Sequence, residues 1–204
     1  MRTLDEIAID TKTDKSSGFH KYCPIYERYF SELRDKPIFL VEIGVQFGLS
    51  IRMWAEYFAL GEIFGVDIIP NFTSDNPRVH LAVGDGANQE FWKTFHSDVA
   101  FDIVVDDGSH KGSDQIPTFN ALWPRVKPGG YYVIEDTFTA WDSFFDSPAS
   151  LRQWLDYLHG NMNKNGKDYH GKPMRQSNVR LETIEREIEF IHLYYGLIII
   201  RKKA

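Results

Sequence analysis

The sequence predicts one α/β domain over residues 1–204, built on a doubly wound, mostly parallel sheet of seven strands with a C-terminal antiparallel hairpin. Short apolar, β-branched runs alternate with segments of helical spacing, as in right-handed strand–helix–strand crossovers. The last two strands follow each other across a tight turn. No linker-like change of composition divides the chain, so one domain is expected.

Five predicted strands precede the hairpin, and each ends near a glycine or an acid. Their ranges are 37–45, 62–69, 78–85, 101–107 and 129–136. Between the strands, apolar residues recur three or four positions apart, which predicts helices. The helical ranges are 49–60, 88–96 and 113–126, the last with Ser113 as its N-cap residue.

The chain after the fifth strand follows a different pattern. Residues 187–203 contain two apolar runs around Tyr195 and Gly196, which predicts a hairpin at the edge of the sheet. Residues 137–186 contain a predicted helix over 150–161 and a polar loop with glycines. Because a long excursion at the carboxyl edge of a sheet often covers a ligand, we interpret 137–186 as a substrate lid.

Composition narrows the classes of function. The chain has 23 Lys and Arg against 29 Asp and Glu, a formal net charge of −6 that argues against nucleic acid as a partner. Cys23 is the single cysteine, so a reducing, cytoplasmic location is expected. The N-terminus is too polar and acidic for a signal peptide. No apolar run approaches the roughly 20 residues of a membrane span, so no membrane partner is expected.

The first predicted strand ends in "VEIGVQFGLS", which combines an acid with two glycines. In parallel sheets, ligands bind outside the carboxyl ends of the strands. Gly44 and Gly48 allow a ligand to approach the backbone and the N-terminus of the next helix. Glu42 is unsuited to a neighbouring phosphate but suited to a positively charged amine or sulfonium.

The second and third strands end in residues that match a purine nucleoside. Asp67 is placed to accept hydrogen bonds from ribose hydroxyls, and Gly84 and Asp85 are placed beside an adenine amino group. Together with Glu42, these residues indicate a purine nucleoside with a cationic tail. S-adenosylmethionine has this structure, and we therefore predict it as the cofactor. NAD is the competing interpretation, but "GVQFGLS" lacks the G-x-G-x-x-G spacing of dinucleotide-binding turns.

Three acids end the fourth and fifth strands: Asp107, Glu135 and Asp136. These strands are neighbours in a doubly wound sheet, and converging carboxylates need a counter-charge to stay ionised. An oxygen-only cluster suits Mg²⁺, with Mn²⁺ as an alternative, and such an ion would orient a substrate hydroxyl. His110 follows Asp107 by three residues and is the candidate base for the hydroxyl proton. Because side chains alternate along a strand, only one of Asp106 and Asp107 is expected to face the metal; His110 favours Asp107.

Several longer stretches carry a family resemblance. They are "TDKSSGFHKYCPIYERYF", "VEIGVQFGLSIRMWAEYF", "GVDI", "DDGSH" and "LWPRVKPGGYYVIEDT". With them the chain resembles class I S-adenosylmethionine-dependent methyltransferases, and among these the metal-dependent sugar O-methyltransferases of the mycinamicin and tylosin type. The resemblance implies that the acids at the ends of the fourth and fifth strands bind the metal and that His110 is the base. It also implies that Thr13 and Tyr22, in a helical N-terminal segment over 1–36, contribute to the cofactor site, with His20 nearby.

These observations predict Mg²⁺-dependent methyl transfer to a hydroxyl of a sugar or glycosylated small molecule. The alternatives are a phenol or catechol O-methyltransferase, a metal-dependent hydrolase or hydroxylase-like relative, and a module that only binds the cofactor. Several of the sugar enzymes carry a further N-terminal oligomerisation domain, and a homo-oligomer is an open expectation here. Aromatic residues after the fifth strand are candidates to stack on the acceptor, and two residues of the predicted lid are weaker ones. The former are Trp141, Phe144 and Phe145, and the latter are Tyr169 and His170.

Overall fold

The computed structural model of the protein describes residues 1–69, 71–145, 150–164 and 183–204. Seven strands form one sheet. They are β1 (Phe39–Ile43), β2 (Glu62–Asp67), β3 (Val79–Val83), β4 (Phe101–Asp106), β5 (Val126–Glu135), β6 (Ile188–Tyr194) and β7 (Leu197–Lys202). The helices are α1 (Leu4–Thr11), α2 (Cys23–Phe30), α3 (Leu49–Tyr57), α4 (Gln89–Thr94), α5 (Gly112–Leu122), α6 (Ser150–Lys164) and α7 (Thr183–Glu187).

The strand order is β3-β2-β1-β4-β5-β7-β6. The first five strands are parallel, and β7 lies antiparallel to both β5 and β6. This confirms the predicted seven-stranded sheet with a terminal hairpin. The chain runs outward from β1 to β3 and then returns to β4, so the direction of winding reverses between β1 and β4. Loops diverge at such a reversal and leave a crevice at the carboxyl edge.

Alternate residues of the same strands enter two apolar layers, which is why the central strands are apolar at nearly every position. One layer joins Leu4 of α1, Tyr26 of α2 and Trp54 of α3 to one face of the sheet. The opposite layer contains Trp92 of α4 and Phe119 of α5, together with α6. The helices α1 and α2 both cover the first face. The loop that joins them reaches the carboxyl edge of the sheet, where its Lys15 contacts Asp107.

Several element bounds differ from the predicted ones. Ser113 is not the N-cap of α5: the helix begins at Gly112, and the N-cap residue is Lys111, whose carbonyl accepts the first helical bonds at 2.9 Å. His110 has a φ of 59°, so the chain turns into the helix earlier than the serine suggested. The same helix ends at Leu122, before a 3₁₀ turn that contains Pro124, which has no backbone N–H to donate. No helix within the described ranges has the length and apolar character needed to cross a membrane.

Candidate active site

A cleft of about 800 Å³ opens at the carboxyl ends of β1 to β4, on the side where the winding reverses. Most of the residues predicted for the site line it. These are Thr13, Gly44, Asp67, Gly84, Asp85, Asp107, His110 and Asp136. The other four predicted residues lie behind the lining or beside it: Tyr22, Glu42, Gly48 and Glu135. The predicted Tyr169 and His170 fall outside the described residues, as do residues 146–149 and 165–182 of the predicted lid.

Two glycines shape the β1–α3 loop, for different reasons. Gly44 has a φ of 88°, and a Cβ there would lie 2.0 Å from the carbonyl oxygen of Asp107, so glycine lets the ends of β1 and β4 meet. Gly48 has a φ of 70° and is the N-cap residue of α3. A Cβ at Gly48 would lie 2.3 Å from the ring of Phe72, so its role in the described structure is close packing beside the cleft.

Asp67, the last residue of β2, holds the neighbouring β1–α3 loop in place. Its Oδ2 accepts hydrogen bonds from the backbone N–H groups of Val45 and Gln46, each at 2.8 Å, and its Oδ1 accepts one from Ile69 at 2.9 Å. A carboxylate offers about four lone-pair positions, so about one remains for a ligand hydroxyl. Asp85 accepts a hydrogen bond from the N–H of Ala87 at 2.9 Å and is otherwise exposed at the rim.

A buried lysine connects the acids below the cleft. Lys15, fully buried in the loop between α1 and α2, lies 2.5 Å from Asp107 Oδ2, 2.8 Å from Glu135 Oε2 and 3.3 Å from Glu42 Oε1. Tyr26 donates a hydrogen bond to the other oxygen of Glu135 at 2.5 Å, and Ser50 donates one to Glu42 at 2.7 Å. The cation beside Glu42 is therefore a lysine of the protein itself.

The sequence interpretation missed Lys15 and Tyr26. Both belong to the "TDKSSGFHKYCPIYERYF" stretch, in which only the threonine and the residues around Tyr22 were singled out. One signal pointed towards a lysine: converging carboxylates require a counter-charge, and "TDK" offers an ammonium group. That signal did not identify which of the chain's 23 Lys and Arg residues supplies it.

Burial shifts the pKa values of this cluster, and the neighbouring charges either oppose that shift or add to it. Burial raises the pKa of Glu42 to about 7, although the charge of Lys15 opposes the shift. Burial also raises the pKa of Glu135 well above its usual range, and the charge of Asp107 adds to the shift. Burial alone would lower the pKa of Lys15, but the three carboxylates outweigh it and raise that pKa well above its usual value. Lys15 is therefore an ammonium cation in the folded protein.

A second group of ligating atoms faces the cleft. Asp107, His110 and Asp136 each place one nitrogen or oxygen within 4.8 Å of the others, and Asp107 also belongs to a buried group with Glu42 and Glu135. His110 Nδ1 lies 3.9 Å from Asp107 Oδ1, and His110 Nε2 lies 3.7 Å from Asp136 Oδ2. Among the described residues, the predicted ligands Asp107, Glu135 and Asp136 thus divide between two groups that share Asp107.

Local backbone geometry aims the cleft-facing group. His110 and Asp136 have φ values of 59° and 53°. Non-glycine residues rarely adopt such values, and those that do are frequently found at functional sites. The hydroxyl of Thr139 lies 2.7 Å from the carbonyl oxygen of His110 and 2.8 Å from that of Asp136, so it joins the two strained turns. Tyr22 donates a hydrogen bond to Asp136 Oδ1 at 2.7 Å. Tyr22 is therefore a support for Asp136, outside the cleft lining.

The two consecutive acids at the end of β4 face different surroundings. Asp106 is buried and accepts a hydrogen bond from Tyr132 at 3.2 Å, on the sheet face covered by α5. Burial raises its pKa to about 7. Asp107 instead lies between Lys15 and His110. The alternation along the strand therefore directs Asp107, of the two, towards the histidine.

This geometry can be compared with known proteins. The family model described as "Methyltransferase domain" matches residues 41–137, from β1 to the residue after Asp136. The chain carries a methyltransferase domain. It resembles class I S-adenosylmethionine-dependent methyltransferases and, among them, sugar O-methyltransferases of the mycinamicin and tylosin type.

Individual relatives of the methyltransferase domain extend over almost the whole chain. A mycinamicin VI 2''-O-methyltransferase of Micromonospora griseorubida is 32% identical over 98% of this chain and 52% of its own length. An 8-demethyl-8-alpha-L-rhamnosyl tetracenomycin-C 2'-O-methyltransferase of Streptomyces olivaceus is 32% identical over 92% of this chain and 51% of its own length. The chain thus spans about half the length of these curated relatives.

One solved structure is similar to the whole described fold. A MycE methyltransferase from the mycinamycin biosynthetic pathway, in complex with Mg and SAH, superposes with a TM-score of 0.88 at 29% identity. The match covers 100% of this chain and 55% of that chain. The methyltransferase domain of that protein therefore has the same architecture as this one, including the antiparallel hairpin.

Proposed function

We propose that the protein transfers a methyl group from S-adenosylmethionine to a hydroxyl of a sugar, or of a glycosylated small molecule, with the help of a divalent cation. The observation that carries the proposal is the position of the Asp107–His110–Asp136 group at one end of the nucleoside-sized cleft. A methyl donor bound in the cleft and an acceptor hydroxyl beside Asp107, His110 and Asp136 would meet where the direction of winding reverses, between β1 and β4.

The residues of the cleft fit the cofactor. Asp67 retains a lone pair for a ribose hydroxyl, and exposed Asp85 is free to accept a hydrogen bond from an adenine amino group. Gly44 and Gly84 line the same cleft and allow close packing behind it, since a Cβ would lie 2.0 Å from the carbonyl oxygen of Asp107 at Gly44 and 2.3 Å from the Phe91 ring at Gly84. Thr13 lines the opposite wall. We infer that Glu42, Gly48 and Tyr22 act from behind the cleft lining. Gly48 allows the β1–α3 loop to pack closely, Tyr22 donates a hydrogen bond to Asp136, and Glu42 lies beside the Lys15 ammonium group.

The oxygen chemistry of the acids suits a hard divalent cation, Mg²⁺ first and Mn²⁺ as the alternative, with Asp107 and Asp136 facing the cleft and Glu135 in the buried group beside Lys15. We propose Asp107, Glu135 and Asp136 as its ligands. Both oxygens of Glu135 already accept a hydrogen bond, one from Lys15 and one from Tyr26. A carboxylate oxygen has two lone pairs, so ligation leaves both bonds in place.

The chain's own residues account for the proton and the orientation. When bound, the cofactor supplies the methyl group as a sulfonium, and the divalent ion supplies positive charge beside the acceptor oxygen. His110 would accept the hydroxyl proton at a ring nitrogen, and the freed oxygen would be the nucleophile for the methyl group, with the sulfur as the leaving group that keeps the electron pair. Its Nδ1 has no hydrogen-bond partner among the described residues, so no existing hydrogen bond occupies that nitrogen.

Two binding and turnover experiments test the proposal. Calorimetry with S-adenosylhomocysteine, with and without Mg²⁺ and beside NAD, is expected to give micromolar binding of the nucleoside and none of NAD. Methyl transfer is then measured on rhamnosyl tetracenomycin, mycinamicin VI, methyl α-L-rhamnoside and catechol. The relatives' names support the first two acceptors. Turnover confined to catechol would replace the sugar with a phenol, and absence of nucleoside binding would overturn methyl transfer altogether.

We further infer a neutral small-molecule acceptor rather than nucleic acid, because the chain carries a net charge of −6. The single cysteine, Cys23, is buried and unpaired, which supports a reducing, cytoplasmic location. A homo-oligomer stays an open expectation, and light scattering of the purified protein measures the oligomeric state directly.

A further inference from the structure

We propose that an exposed row of aromatic side chains beside Asp136 binds the acceptor, with the sugar over Phe138 and an apolar aglycone over Tyr195. The row consists of Phe19, His20, Phe138 and Tyr195, and is called the aromatic row below. This inference rests on the proposed function and specifies its acceptor as a neutral glycoside with an apolar aglycone.

The aromatic row is continuous and begins at the cleft-facing acids. His20 Nε2 lies 4.0 Å from Asp136 Oδ1 and 3.9 Å from Asp14 Oδ2. From His20 the next ring is Phe138, with centroids 6.1 Å apart and planes 25° apart, followed by Tyr195 at 5.9 Å and 17°. Phe19 meets His20 edge to face at 4.5 Å. Two ring-to-ring steps exceed the length of one sugar ring, so the row is long enough for a sugar and the group attached to it.

The rings of the aromatic row are exposed although they are large and apolar. Phe19 is 68% exposed, Phe138 36% and Tyr195 85%. Large apolar rings that are exposed and adjoin one another are typical of a binding surface. The row also lies outside the cofactor cleft lining, so a bound cofactor leaves it accessible.

The turn that carries Tyr195 is held firmly against the site. The carbonyl of Gly196 accepts a hydrogen bond from the N–H of Thr137 at 3.2 Å and lies 3.0 Å from the hydroxyl oxygen of Tyr22, whose single proton is shared with Asp136 Oδ1. A Cβ at Gly196 would lie 2.4 Å from the Tyr22 hydroxyl and 3.1 Å from Phe138, so only glycine allows this approach. The Tyr22 hydroxyl therefore contacts both Asp136 and the hairpin turn, which positions the aromatic row relative to the reacting group.

Charge selects among apolar acceptors. Asp14 and Asp136 lie within 4.0 Å of His20 at the inner end of the row, so the protein places carboxylates there. The C–H face of a sugar packs on an aromatic ring, while its hydroxyls reach towards His110 and Asp136. A neutral glycoside satisfies both ends of the surface, and an apolar aglycone extends over Tyr195.

Steady-state kinetics of Tyr195→Ala and Phe138→Ala test the proposal with two acceptors that share a sugar. With the rhamnosyl tetracenomycin acceptor, Tyr195→Ala is expected to raise KM roughly tenfold at unchanged kcat. With methyl α-L-rhamnoside, which has no aglycone, the same variant keeps its KM. Phe138→Ala raises KM for both acceptors. Tyr195→Phe retains the ring and is expected to behave as wild type.

The control is Leu193→Ala on the same hairpin, since Leu193 is 66% exposed and lies outside the aromatic row. It is expected to leave KM unchanged. Unaltered KM values in Tyr195→Ala and Phe138→Ala, or a fall in kcat alone, overturn the aromatic row as the acceptor surface. Failure of the wild-type protein to methylate any glycoside while it binds S-adenosylhomocysteine would instead contradict the proposed function.

Discussion

Replacing Lys15 by methionine removes the cation that three buried carboxylates share. Methionine keeps an unbranched, apolar stem of similar length, so the change removes charge with little loss of packing. Lys15 is fully buried, and it lies within 3.3 Å of Glu42, Asp107 and Glu135. Removing one partner of a buried ion pair costs about 3–5 kcal/mol, because the remaining charge is left uncompensated. For a chain of this size, that loss lowers the melting temperature by about 6–20 °C.

The loss is expected to depend on pH with a definite sign. Burial raises the pKa values of Glu42 and Glu135 in the folded protein, so the folded state binds more protons than the unfolded state. Stability from these groups is therefore lost as pH rises from about 4.5 through the folded pKa, which for Glu42 is about 7. Without Lys15 the carboxylates keep their protons to higher pH. The destabilisation by Lys15→Met is thus smaller at pH 5 than at pH 8.

Urea unfolding at pH 5 and pH 8 measures both effects, and Lys93→Met is the matched control. Lys93 pairs with Glu90 at 2.6 Å on the surface, where both side chains are mostly exposed. The control is expected to lose less than about 1 kcal/mol. A loss below about 1 kcal/mol for Lys15→Met, or an equal loss at both pH values, would refute the view that Lys15 balances the buried acids.

Three further variants test the site. His110→Ala is expected to lower kcat by roughly 10²-fold or more, with S-adenosylhomocysteine binding unchanged by calorimetry; normal turnover would remove His110 as the base. Glu135→Gln is expected to shift the Mg²⁺ titration of activity to higher concentration, and an unchanged titration would remove Glu135 from the ligands. Gly44→Ala places a Cβ 2.0 Å from the carbonyl oxygen of Asp107 and is expected to weaken S-adenosylhomocysteine binding at least tenfold. Gly160→Ala is its control, since a Cβ there meets nothing within 4 Å; equal affinity in both variants would contradict the close-approach argument.

Local sequence patterns predicted much of the fold. Strand and helix periodicities are set by nearest neighbours along the chain, so the central strands and the Tyr195–Gly196 turn were found from the sequence. Element ends were less predictable. The start of α5 depends on the left-handed backbone at His110, which a capping pattern at Ser113 does not reveal.

The sequence by itself determined which acids, glycines and histidine follow the strands, because each of them stands directly after an apolar run. In a parallel sheet the carboxyl ends of the strands lie at one edge, so these residues were expected to share a site. Tertiary structure alone decided how the acids divide between a buried group and a cleft-facing one. It also decided their counter-charge: Lys15 is 92 residues from Asp107 and 120 from Glu135 along the chain. No local periodicity links residues so far apart. Packing of the α1–α2 loop against the sheet edge joins them, and burial then makes the pairing obligatory.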